Sequence, residues 1–154
     1  MAFDWGDNRY DEGMPFKGPF KGKGQNRVAM RQVETELSEI IGEMERLVAE
    51  FNHALPSTPR PVNLRILRRS NHHPLLSWRY AVRSGSYLKL FGSAQGHNIL
   101  NHLGPHARHL LARFDRERLR LNFRCKLIWN CRDAYALYEA GIRDLETYAT
   151  AAAV

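Results

Sequence analysis

The period of the apolar residues changes twice along this chain, and each change limits what the neighbouring segment can become. From Arg27 to Leu55 they fall at Val33, Leu37, Ile40, Ile41, Met44, Leu47, Val48, Phe51 and Leu55. That three-and-four spacing is an amphipathic helix with its glutamates turned to water. Gly42 costs such a helix about 1 kcal/mol relative to alanine, which the rest of the stripe absorbs. Pro56, Pro59 and Pro61 end it and stiffen the connection. The period then drops to two in PVNLRILRR, LLSWRYAVR and YLKLF, three short strands with turns at SNHHP (70–74) and SGS (84–86). After the Gly-rich loop GSAQG (92–96), the pattern predicts a short helix over 97–103 and a break at Gly104–Pro105. A long helix starts at Pro105, where the first turn tolerates proline. The expected fold is α+β: a small three-stranded antiparallel sheet packed against an N-terminal amphipathic helix and a long C-terminal helix. Residues 1–25 read as a flexible N-terminal arm and 26–150 as a single domain, a length suited to one core.

Alternation sorts the strand side chains into two faces. Val62, Leu64, Ile66, Leu76, Trp78, Tyr80, Val82, Leu88 and Leu90 are expected on the core. The opposite face carries Arg65, Arg69, Arg79, Arg83 and Lys89, with Tyr87 and Phe91 among them. On the long helix, Leu110, Phe114, Leu121, Cys125 and Ile128 form one apolar stripe, and Leu119, Phe123 and Leu127 form a second on another side. Arg113, Arg116, Arg120 and Arg124 run between them as a ladder. A helix apolar on two sides is sandwiched, either inside its own fold or against a second copy of the chain, so a homodimer through this helix is one expectation.

The net charge of +7 conceals a sharper division. Residues 27–55 hold three arginines against six glutamates, a balance of −3. Residues 56–132 hold fifteen Lys/Arg against Asp115 and Glu117 alone, a balance of +13. Residues 133–154 hold Arg143 against four carboxylates, again −3. A basic block between acidic ends suits a polyanion, although anionic lipid or an acidic protein shares that attraction. On the sheet, guanidinium groups bind phosphate and flat rings accept bases. A solvated antiparallel face would also be polar, but need not carry charge of one sign. These residues lead to an expectation of nucleic acid, with single-stranded DNA slightly favoured because no recognition helix stands out. The candidate contacts are Lys17, Lys21, Lys23, Arg65, Arg69, Arg79, Arg83, Tyr87, Lys89, Phe91, Arg116, Arg120 and Arg124. The rival class is a protein-interaction module whose basic face docks an acidic partner, such as an inhibitor of a host defence complex.

Catalytic patterns are missing. Asp115 and Glu117 are two apart on a helix and diverge by about 200°, which spoils a two-metal site. His97, His102, His106 and His109 lie close in sequence, but no cysteine or carboxylate completes a metal set, so they read as surface histidines. No nucleophile elbow, Walker loop or dinucleotide fingerprint occurs. The expectation is therefore no enzyme, no metal and no cofactor. No apolar run approaches the roughly 20 residues of a membrane span, and MAFDWGDNRY does not resemble a secretory leader. Cys125 and Cys131, six apart on one helix, face different ways, and two reduced thiols point to the cytoplasm. The run FKGPFKGKG (16–24) lacks the Gly-Lys-Ser/Thr ending of a nucleotide loop. It reads either as a mobile trio of lysines able to reach a phosphate, or as a solvated linker held by its phenylalanines.

A PFKGKG-like segment, the acidic helix, the strand start PRPVNL, the strand LLSWRY and the late ERLRLNFRCKLI resemble a family of short proteins from bacterial integrative and conjugative elements. The family has no known function, and some members are labelled integrase regulator R. The likeness runs in order over residues 15–145, with a doubled Phe-Lys-Gly unit and an acidic aromatic leader, FDWGDNRYDE, as departures. It implies a mobile DNA element and a bacterial cytoplasm, and it assigns no role to any residue.

Overall fold

The structure, a computed structural model, describes residues 23–55, 60–81 and 87–152. In chain order these form α1 (Lys23–Ala54), β1 (Val62–Leu67), β2 (Leu75–Tyr80), β3 (Tyr87–Leu88), α2 (Ala94–Asn101) and α3 (Pro105–Ala151). Two compact units divide them: residues 37–129 form one, and residues 23–36 with 130–152 form the other.

The larger unit is the expected α+β arrangement, with the strands antiparallel in the order β1-β2-β3. Leu37, Ile40, Met44, Leu47 and Phe51 of α1 are buried there, as are Val62, Leu64, Leu76, Trp78, Leu88 and Leu90 of the sheet region. From α3 come Leu111, Phe114, Leu121, Cys125 and Ile128. Phe51 meets both Trp78 and Phe114 edge to face, each with centroids 5.3 Å apart, so one ring joins the first helix, the sheet and the last helix. Edge-to-face pairs place the positive rim of one ring on the negative face of the next. The predicted stripe on α3 shifts by one residue at its start. Leu111 is buried and Leu110 only half-buried, because Leu111 lies three residues before Phe114 on the same side. Ile66 and Tyr80 point to the core side but stay half-buried at its margin, and Val82 lies outside the described residues.

Two polar side chains of α3 fasten it to the central strand. The Trp78 indole Nε1 donates to Asp115 Oδ1 at 2.7 Å, and Arg118 Nε donates to the same oxygen at 2.7 Å. One helical step of seven residues further on, the Asn122 amide grips the backbone of Leu76. Leu76 N donates to Asn122 Oδ1 at 2.8 Å, and Asn122 Nδ2 donates to Leu76 O at 2.9 Å. Leu76 and Trp78 present their backbone groups along the same edge of β2. β3 pairs only with Trp78 and Arg79, so Asn122 supplies the peptide-like partner that this short strand does not.

Local rules explain the boundaries. β3 stops early because the chain turns at once: Lys89 O accepts from Gly92 N at 3.2 Å and from Ser93 Oγ at 2.8 Å. Ser93 then caps α2, accepting from Gly96 N at 3.1 Å, which starts that helix three residues before the expected position. Gly96 is required there, since a Cβ would sit 2.1 Å from Leu90 O. Between β1 and β2 the backbone of Asn71 takes φ 62°, a left-handed value asparagine tolerates. In the smaller unit α1 begins at Lys23, four residues before Arg27, and Ala29, Val33 and Tyr135 are buried.

Replacing Asn122 by alanine leaves a donor and an acceptor of a fully buried residue without partners. Each such group costs roughly 1–3 kcal/mol, so urea unfolding of Asn122→Ala should show a loss of about 2 kcal/mol or more. An unchanged midpoint would show that the clamp carries no stability.

Candidate nucleic-acid interface

The face of the sheet that points away from Trp78 carries the basic side chains. In the register Arg79 on the central strand lies opposite Asn63 on one side and Tyr87 on the other, and Arg65 lies opposite Ser77. Because Leu76 and Trp78 both face the core, Arg65, Ser77, Arg79 and Tyr87 share the outer face. Arg65, Arg69 and Lys89 are exposed, and Arg79 is half-buried. Tyr87, on the edge strand β3, and Phe91, just beyond it, are exposed aromatic rings. Among the described residues none of these four cations has an acidic partner. Ser77, on the central strand of this face, is buried, and its Oγ has no hydrogen-bond partner among the described residues. Arg68, the neighbour of Arg69, is different, since its guanidinium donates to Glu45 at 2.6 Å.

The helical ladder is compensated where the sheet is not. Arg124 Nη1 donates to both oxygens of Glu43 at 3.0 Å. Arg120 donates to Glu117 at 2.8 Å through Nε and to Glu43 at 3.3 Å through Nη2. Burial alone would raise the carboxyl of Glu43, but hydrogen bonds and charge from Arg124 and Arg120 outweigh it and hold the group below its ordinary 4.5. Arg113 lies over the ring of Phe114 at 5.0 Å. Of the ladder, Arg116 alone is exposed with no partner among the described residues. Beside these residues runs an open groove of about 520 Å³ lined by Glu43, Glu50, Glu117, Arg46, Arg113 and Arg120, three charges of each sign. Such a groove offers a polyanion no net attraction.

The expected contacts thus fall into two sets of different kind. Arg65, Arg69, Arg79, Tyr87, Lys89 and Phe91 lie on or beside one sheet face, while Arg120 and Arg124 are already bound to glutamates. Lys17, Lys21 and Arg83 lie outside the described residues, as does the side chain of Lys23. Sequence reasoning missed Glu43, which it turned outward with the other glutamates of α1. A signal existed: Glu43 sits three residues after Ile40 and four before Leu47, at the margin of the buried stripe.

The histidines are used locally. The ring of His97 hydrogen-bonds to Phe91 O at 3.0 Å and that of His102 to Asn98 O at 2.7 Å. Among the described residues no three His, Cys, Asp or Glu side chains converge to hold a metal. Burial pushes the Cys125 thiol above its ordinary value, and burial with the charge of Glu36 does the same for Cys131, which keeps both poor nucleophiles. No described helix is long and apolar enough to cross a membrane. Comparison with family models, curated proteins and solved structures finds no match to this chain.

The depressed carboxyl of Glu43 sets a pH dependence. A group whose folded value is lowered stabilises the fold above its unfolded value and loses that contribution as pH falls through the folded one. Glu43→Gln should therefore lower the urea midpoint at pH 7, and the gap to wild type should close as pH drops below about 4.5. A gap that stays constant down to pH 3 would show that the Glu43 pairs contribute nothing.

Proposed function

We propose that this protein binds nucleic acid without catalysis, through the outer face of its sheet, with single-stranded DNA the favoured form. The observation that carries this reading is the contrast between two sets of cations. Arg120 and Arg124 of α3 are matched by Glu43 and Glu117, whereas Arg65, Arg79 and Lys89 on the outer sheet face, and Arg69 beyond the end of β1, have no carboxylate partner among the described residues. Unbalanced like charges repel, and a phosphate chain relieves that repulsion while releasing its counterions. Tyr87 and Phe91 offer π-faces for unpaired bases, which stack on aromatic rings without regard to sequence. Accessory or regulatory work on a bacterial mobile element is the context suggested by the PFKGKG, LLSWRY and ERLRLNFRCKLI likeness.

The same unbalanced face supports a second reading, a module that docks an acidic protein. Salt titration against oligonucleotides separates the two. Four to six phosphate contacts predict a log–log slope of about −3 to −5. Combining Arg65→Ala, Arg79→Ala and Lys89→Ala should shrink it by about 2 to 3 units, with the melting temperature held because these side chains leave the core untouched. Removing Arg116, Arg120 and Arg124 together should change it by about 1 unit or less. Loss of binding in the helix variant alone would move the site to α3, and absence of binding at low salt would favour the acidic protein.

A further inference from the structure

The contacts that fasten α3 to β2 continue past the strand. Asp115 holds Trp78 and Asn122 holds Leu76. The next step of seven residues sets Trp129 against His73, with ring centroids 6.5 Å apart and planes tilted by 59°. Seven residues make nearly two whole turns, so these three side chains of α3 share one side of the helix. Lys126, four residues after Asn122 and three before Trp129, lies on that side as well and is exposed. The end of the series is therefore the turn between β1 and β2, where a histidine meets a lysine of the helix. Within that turn Asn71 takes its left-handed φ, and His72 N donates to Arg69 O at 3.3 Å.

The cluster is positive and lacks a counter-charge. Arg69, His72 and Lys126 are exposed and His73 is half-buried. Among the described residues no carboxylate pairs with any of the four. Glu45 of α1 reaches the neighbouring Arg68 and is bound to it at 2.6 Å. The charged groups that face the His73 ring are Lys126 from α3 and His72 from its own turn. Burial first, then the charge of Lys126 and that of His72, hold the His73 ring below its ordinary 6.5. The ring is thus kept neutral by the same crowding of cations that would attract an anion. A phosphate placed among Arg69, His72 and Lys126 reverses the local field and favours the imidazolium. The turn also joins the two strands whose outer face carries Arg65 and Arg79, so a backbone lying on that face has only to continue past the strand ends to reach it.

We propose that Arg69, His72, His73 and Lys126 form a phosphate subsite at the end of the sheet face, and that a nucleic-acid backbone held there adds a proton to His73. This inference rests on the nucleic-acid reading of the sheet and extends that site to α3. A group that gains a proton on binding makes binding tighter as pH falls, by at most about tenfold per pH unit for one proton. The effect vanishes once pH lies above the free and bound values alike.

The test is an NMR titration of the His73 ring in the full chain, with and without a single-stranded oligonucleotide, the resonance being assigned by its loss in His73→Gln. The oligonucleotide should raise the midpoint of this ring by at least about half a pH unit. From about pH 7.5 to about pH 6 its affinity should rise at least about threefold more for wild type than for His73→Gln. Lys126→Ala should keep the melting temperature, because the side chain is exposed, and should shrink the salt slope by about 1 unit. Binding that leaves the His73 midpoint in place, or a salt slope that Lys126→Ala does not change, would overturn the subsite and leave the sheet reading standing. Absence of binding at low salt would overturn both. A polyglutamate peptide of equal charge that raises the His73 midpoint as far as the oligonucleotide does would overturn the assignment to a nucleic-acid backbone.

Discussion

The attachment of α3 to the central strand is the constraint on which the larger unit depends. β2 lies between β1 and a strand of only two residues, so part of its backbone edge faces no other strand. A buried peptide group without a partner costs more than most single contacts return. Asn122 resolves this by presenting one acceptor and one donor in the geometry of a peptide, and both are used on Leu76. Asp115 does the complementary task for Trp78, whose indole N–H would otherwise be buried unpaired, and Arg118 keeps that carboxylate from being a lone buried charge. With the helix held in this register, Phe114, Leu121, Cys125 and Ile128 must face inward.

The opposite side of the same helix then has to face outward. Leu119, Phe123 and Leu127 are exposed because Asp115 and Asn122 dictate the rotation of the helix about its axis, not because the fold lacks apolar surface to offer them. The ladder follows from the same rotation. Arg120 and Arg124 arrive beside Glu43 of α1, and the pairs they form lower their availability to any external anion. Exposed ion pairs add little stability, yet they decide where uncompensated positive charge remains. Among the described residues Arg65, Arg79 and Lys89 of the sheet region and Arg116 of α3 are left without a carboxylate partner.

Much of this was legible in the residues themselves. The change of period from three-and-four to two and back identified α1, the three strands and α3, because burial on one side imposes a repeat on the apolar residues. The sorting of Val62, Leu64, Leu76, Trp78 and Leu88 from Arg65 and Arg79 followed from the pleat alone. What the chain concealed were partners distant in sequence. Nothing local marks Asn122 as a surrogate strand or Asp115 as the acceptor of Trp78, since each pair is separated by dozens of residues.

Sequence alone determined the kind of element at each position and which side chains share a face, since both depend on covalent geometry and spacing. It also determined that residues 56–132 carry an excess of positive charge. Only the tertiary structure decided which of those charges are left unmatched. Charge neutralisation is a matter of distance in space, and the carboxylate that neutralises Arg124 lies 81 residues away, on another helix. The same holds for the two stripes of α3. Their periodicity was written in the chain, but which one became core was settled by where Asn122 and Asp115 found their hydrogen bonds.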